Sequence, residues 1–172
     1  MGTLPAEEPI NSDESAEAES SDEDTLPPPD IVYVGNVDIP FDYITPVTGR
    51  ITSKFGYRDH PVDGEYKFHY GIDIAADTGD PILCFADGEV TFVGVGEING
   101  NYMKITHSDG FVTMYAHCDS IDVKVGDKVA MGERIAYAGS TGTVSGSHLH
   151  FQIYTDGMLI DPALYLDGLT WA

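Results

Sequence analysis

The feature that most restricts this chain is a hydrophobic period of two, carried by short runs that end at glycine-containing turns. Gly88–Gly96 (GEVTFVGVG), Asn101–His107 (NYMKITH) and Phe111–Cys118 (FVTMYAHC) are strand-length and rich in Val, Ile, Thr, Tyr and Phe, residue types that suit a pleated, half-buried surface. Asn99-Gly100 separates the first two runs, and Ser108-Asp109-Gly110 the next two. A third turn, Asp156-Gly157, joins His148–Tyr154 to Met158–Ile160. Asn-Gly and Asp-Gly supply the positive φ angles that tight hairpins need. Val123–Ile135 adds two more short strands broken at Gly126 and Gly132, and no window of a dozen residues carries a helical stripe. The pattern predicts an all-β, mostly antiparallel domain.

Charge and composition divide the chain. Ten of its 29 acids and none of its eight Lys and Arg fall within residues 1–30. That segment is dominated by Ser, Glu, Asp and Ala, ends in Pro27-Pro28-Pro29, and reads as a disordered acidic linker. Residues 31–45 form a lead-in, and 46–172 the β domain. With a formal charge of −21, the chain offers no basic stripe to neutralise phosphates, which excludes nucleic acid as a partner and argues against basic membrane-surface binding. No run of about 18 apolar residues exists to span a bilayer. The N-terminus lacks the basic start and apolar core of a signal peptide, so a targeting or anchoring segment is expected to lie outside this sequence. Cys84 and Cys118 are too few to define a disulfide framework; they read as small buried hydrophobes inside strands, and the sequence leaves their pairing open.

The polar residues on these apolar strands carry the chemistry. Histidines stand at positions 60, 69, 107, 117, 148 and 150. His69-Tyr70-Gly71-Ile72-Asp73 reads as a loop feeding a strand, with Asp73 and Ala75 on one face and Ile72 and Ile74 on the other. Tyr115 and His117 are expected to share a face. In His148-Leu149-His150-Phe151 both histidines point one way, about 6.6 Å apart along the strand, while Leu149 and Phe151 point into the core. Two neutral imidazoles and a carboxylate make a three-ligand zinc site whose fourth position holds water, with its pKa lowered to about 7. Further histidines nearby can act as general base and as donors to an oxyanion. A His four residues before an Asp, or a lone H-x-H, is weak alone; four histidines and an aspartate on otherwise apolar strands are not.

Over about Pro46 to Tyr165 the chain resembles the lysostaphin-type (LytM-like) zinc metalloendopeptidases that cut peptidoglycan peptides. The resemblance rests on Gly49 through Arg58 (GRITSKFGYR), His69 through Asp73, Pro81 through Val90 (PILCFADGEV), Tyr115-Ala116-His117, Gly139 through His150 (GSTGTVSGSHLH) and Asp161-Pro162. It implies a β-sheet groove domain built on a duplicated hybrid motif, with one zinc per chain held by His69, Asp73 and His150. His117 and His148 would flank the water and the scissile carbonyl, either one serving as base. Tyr115, Arg58, Thr141 and Gly142 would line or shape the substrate groove. Gln152 departs from the acidic residue common two positions after the last histidine. The implied protein is an extracellular or cell-envelope peptidoglycan hydrolase; a glycine bridge, a D-Ala–diaminopimelate cross-link or a stem-peptide bond all remain open as its target.

Three other readings stand beside it. A LytM-like domain can be a non-catalytic scaffold or hydrolase activator that binds peptidoglycan or an envelope, sporulation or division protein. Met103-Lys104 and the glycines at 126 and 132 echo a biotinyl-type carrier, which would leave four histidines unexplained. Finally, Asp30, Asn36, Asp38 or Asp42 could occupy zinc's open position and hold the enzyme latent.

Overall fold

The computed structural model describes residues 37–59, 66–144 and 146–171; the acidic linker 1–30, with Asp30, and Asn36 lie outside them. The strands are β1 (Arg50–Ser53), β2 (Gly56–Asp59), β3 (Tyr66–His69), β4 (Ile72–Ala75), β5 (Pro81–Leu83), β6 (Gly88–Gly96) and β7 (Gly100–Thr106). They continue with β8 (Phe111–Ile121), β9 (Lys128–Val129), β10 (Arg134–Ala138), β11 (His148–Thr155), β12 (Met158–Ile160) and β13 (Thr170–Trp171). The only helical elements among the described residues are two 3₁₀ turns, Ser108–Gly110 and Pro162–Leu164. Eleven strands form one sheet whose main path runs β9-β6-β7-β8-β11-β4-β1-β13, with β5, β10 and β12 attached to it; β2 and β3 form a separate hairpin. Every pairing is antiparallel except β13 with β1. The domain is all-β and mostly antiparallel, as the period of two predicts.

The turns differ in kind. Asp156-Gly157 is a two-residue turn with φ of 48° and 77°, joining Thr155 to Met158, the mirror-image geometry that matches strand twist. The β6–β7 connection is instead a three-residue loop, Glu97–Asn99, closed by the Gly96–Gly100 pair. There Gly100 takes positive φ and Asn99 does not. The Val123–Ile135 region contributes only β9 and the start of β10.

Register decides which side chains share a face. Leu149 pairs with Ile74, and Phe151 with Ile72 and Tyr115; these five sit in the main core with Met103, Ile105 and Ile153, all fully buried. Tyr115 therefore packs inside the core and does not line a groove. On the opposite face His150 pairs with Asp73 and Ala116, and Gln152 with Met114. Met114 and Ala116 cluster there with Tyr102 under Phe92 and Tyr154. Cys118 is buried in β8 and Cys84 just after β5; both are free, and burial pushes both thiols up to about 12.

Residues 37–47 strap the core face. Val37, Ile39, Phe41 and Tyr43 pack inward at alternate positions, Tyr43 stacks on Phe85 at 5.0 Å, and Phe41 meets Phe111 edge-on. Val37 exchanges two hydrogen bonds with the Tyr165 hydroxyl, at 2.9 and 2.8 Å. Asp38 and Asp42 are exposed on this strap, which lies across the sheet from Asp73 and His150. Neither can fill a metal position there, because the strap's apolar residues commit it to the other face.

Beneath the strap runs a buried polar chain. The His107 Nδ1–H donates to the Asp87 carbonyl at 2.8 Å, and its Nε2 accepts from the Thr113 hydroxyl at 2.9 Å. Thr113 accepts from the Tyr115 hydroxyl at 2.8 Å, whose oxygen accepts the Phe85 amide at 3.2 Å. Burial lowers the His107 pKa from its ordinary 6.5, against the opposing pull of Asp87. Below that pH the unfolded chain binds more protons here than the folded one, so this contribution to stability is lost as pH falls. His107→Phe, with Phe41 and Phe85 already against the ring, is expected to lower the unfolding free energy at neutral pH by about 1–3 kcal/mol. It should also flatten the fall in stability toward about pH 5. Urea titrations of both proteins across that range measure the two slopes; equal slopes would show that His107 does not titrate as a buried neutral ring.

Candidate metal centre and active site

Three donors from two distant segments meet on the face opposite the core. Asp73 stands on β4 directly across from His150 on β11, and His69 ends β3, one turn before β4. The His69 Nε2 and His150 Nδ1 atoms are 3.1 Å apart. Asp73 Oδ1 is 3.3 Å from the first and 2.9 Å from the second. All three residues are buried. His69 therefore lies on a strand end rather than in a loop, and the hairpin partner of its backbone is Gly56.

The outer ring nitrogens fix what these atoms offer. His69 Nδ1–H donates to the Lys54 carbonyl at 2.9 Å, which leaves a lone pair on Nε2. His150 Nε2–H donates to the Gln152 carboxamide oxygen at 2.8 Å, leaving the lone pair on Nδ1. Burial acts to raise the Asp73 carboxyl, but His69 and His150 outweigh it and hold the group well below the ordinary carboxylate range. With both rings neutral in these tautomers, two lone pairs and a carboxylate oxygen face one another, an arrangement that calls for a cation or a shared proton between them. A tetrahedral ion with bonds of about 2.0 Å sets its ligand atoms about 3.3 Å apart, close to the three separations here. The donor set fits a divalent cation of borderline softness, with nitrogen and oxygen ligands.

Two more histidines stand beside this triad. The His117 ring is 4.8 Å from that of His148 and 6.1 Å from that of His150. His148 Nε2 lies 3.6 Å from Asp73 Oδ1. Both are pinned by backbone: His117 Nδ1–H donates to the Thr141 carbonyl at 2.8 Å, and His148 Nδ1–H to the Gly146 carbonyl at 2.9 Å. Each ring keeps Nε2 as an acceptor. Burial first, and then the nearby His148 and His150, press the His117 pKa down to about 3, so this ring is neutral near pH 7.

His117 does not share a face with Tyr115. Strict alternation along β8 would send both into the core, but His117 has φ of 64°, and this left-handed residue swings its ring to the triad's side. Thr141 and Gly142 lie against the β6–β7 loop beside His117. Arg58 stands on the β2–β3 hairpin opposite Lys67; His60 is outside the described residues. Gln152, marked in the sequence only as a departure, proves to be the partner of His150. The Lys54, Thr141 and Gly146 carbonyls had no signal in the sequence, since every residue carries one.

Residues 67–162 match the family described as Peptidase family M23. The peptidoglycan DD-endopeptidase ShyC of Vibrio cholerae is 40% identical over 114 residues, covering 66% of this chain and 26% of that protein. A zinc-containing peptidase from Vibrio cholerae superposes with a TM-score of 0.67 at 38% identity, covering 73% of this chain and 40% of that one. The catalytic domain of lysostaphin from Staphylococcus simulans gives 0.61 at 29% identity, covering 67% of this chain and 90% of that domain. The chain spans about a quarter of the length of the curated relatives it matches. The lysostaphin-type resemblance of the motifs and the match across most of the β domain agree: this chain belongs to peptidase family M23.

Proposed function

We propose that this chain is a zinc-dependent endopeptidase that hydrolyses an amide bond in the peptide part of bacterial peptidoglycan, acting in the cell envelope. The observation that carries the reading is the convergence of His69 Nε2, Asp73 Oδ1 and His150 Nδ1 on one point, with the two pinned rings of His117 and His148 beside it. The name of ShyC supports the substrate class, and the zinc-containing neighbour supports the metal. His69, Asp73 and His150 would hold one zinc per chain. Bound zinc supplies a Lewis acid that polarises the scissile carbonyl and makes water acidic enough to ionise near neutral pH.

The remaining steps belong to the chain's own groups. His117 or His148 accepts the water's proton at Nε2, and the Nδ1–H bond to a backbone carbonyl steadies the resulting imidazolium. Water oxygen bonds to the carbonyl carbon, the C–N bond breaks, and the protonated ring returns its proton to the departing amine. Asp73 keeps the site net-negative, favouring a divalent cation over a proton. A scaffold role is disfavoured because every group of the site is present.

Elemental analysis with a muropeptide digest on the same samples tests the proposal. About one zinc per chain and released peptides are expected in the parent protein. His150→Ala should lose both, whereas His117→Ala should keep zinc and lose roughly 10²–10⁴-fold in turnover. A zinc-free parent under non-chelating conditions, or a zinc-loaded parent that leaves muropeptides intact, would overturn the assignment. Because Gln152 orients His150, Gln152→Leu is expected to weaken zinc binding by about 10–100-fold in a chelator competition; unchanged affinity would show that the carboxamide does not set the ring.

A further inference from the structure

We propose that Thr141 is a positioning residue for His117, acting through its hydroxyl to lock two loops that hold the ring in its left-handed setting. The inference rests on the reading of His117 as part of the reaction machinery. A non-glycine residue at positive φ brings its Cβ too close to the backbone carbonyl, so the φ of 64° at His117 persists only if its surroundings enforce it. Two bonds to His117 do so. Its backbone N–H donates to the Asn99 carbonyl at 2.8 Å, and its Nδ1–H to the Thr141 carbonyl at 2.8 Å. One acceptor belongs to the β6–β7 loop and the other to the loop after β10, so the ring's placement depends on how those loops sit against each other.

The Thr141 hydroxyl joins them. Its Oγ1–H donates to the Cys118 carbonyl at 2.7 Å, and the oxygen accepts the Asn101 amide at 3.1 Å. It therefore ties β7 to β8 immediately after His117. Asn101 Nδ2 donates to the same Cys118 carbonyl at 3.0 Å, and Thr143 N–H donates to the Ile98 carbonyl at 2.9 Å. The approach is backbone on backbone: a Cβ at Gly100 would come within 2.4 Å of Thr141, and one at Gly142 within 2.3 Å of the Ile98 oxygen. Besides Asn101 and the Thr143 hydroxyl, which donates to the Glu97 carbonyl at 3.4 Å, the hydrogen bonds between these loops among the described residues are made by main chain, and Thr141 Oγ1 is the side-chain group that bonds β7 and β8 at once. The threonine assigned from the sequence to a groove wall thus acts on catalysis through His117.

Thr141→Val removes the hydroxyl at nearly constant volume, and Thr141→Ser retains it. Thr141→Val is expected to lower kcat by about 10–100-fold, the scale of a misplaced catalytic group, with KM within about twofold and zinc content unchanged. Thr141→Ser should return kcat to within about threefold of the parent. Long-range ¹H–¹⁵N spectra of the zinc-loaded protein should show a single Nδ1–H tautomer for His117 in the parent and Thr141→Ser, and its loss or mixing in Thr141→Val. A Thr141→Val protein with parental kcat and an intact Nδ1–H signature would overturn the proposal, as would Thr141→Ser failing equally. If the parent cleaves no muropeptide, the peptidase reading falls, while the spectra still decide whether the hydroxyl positions His117.

Discussion

The pairing of β11 with β4 on one side and β8 on the other is the constraint on which the rest of the structure depends. It sets Leu149 against Ile74 and Phe151 against Ile72 and Tyr115 on the core face. The same register sets His150 against Asp73 on the other. Because strand side chains alternate, slipping either pair by one residue would turn the histidines into the core and the isoleucines outward. The fully buried Ile72, Ile74, Leu149 and Phe151 make that slip expensive. Hydrophobic burial on one face thereby fixes the distance between the donor atoms on the other, and the His69–Asp73–His150 cluster inherits its rigidity from the core.

Within that frame each ring of the site is held from behind. His69, His117 and His148 direct Nδ1–H to the carbonyls of Lys54, Thr141 and Gly146, and His150 directs Nε2–H to Gln152. This fixes the tautomer of each ring, so that three acceptor atoms converge and two more stand nearby. A neutral carboxamide in place of a carboxylate behind His150 keeps the orientation while leaving Asp73 as the only anion in the triad. The strap at 37–47 serves the opposite face, where its aromatic residues close the core over Phe85 and Phe111.

Several of these features were legible in the chain alone, and the reasons are local. Alternation of apolar and polar residues in HLHF and in IDIA marks both strands and the faces of their ligands, because the side-chain period of a strand is two. The Asp156-Gly157 turn announces its hairpin because only a few residue types accept two consecutive positive φ angles. His107 reads from the sequence as a lone surface or structural histidine outside the four of the site; its buried bonds to Asp87 and Thr113 come from segments that meet only in the folded chain.

Tyr115 and His117 show where sequence reasoning must fail. Alternation puts them on one face, and a single left-handed residue places them on two, one as a core hydroxyl and one as a site imidazole. Nothing in Tyr115-Ala116-His117 encodes that swing, since it is imposed by the Asn99 and Thr141 carbonyls from loops remote in sequence. The lead-in segment is similar: its acids suggested a metal-directed role, yet Val37, Ile39, Phe41 and Tyr43 gain more by covering apolar surface. Sequence by itself determined the strands, their faces and the identity of the donors, because these follow from local period and chemistry. Tertiary structure alone decided which rings face one another, which tautomers they hold and which segment closes the core, because those depend on partners brought together only by packing.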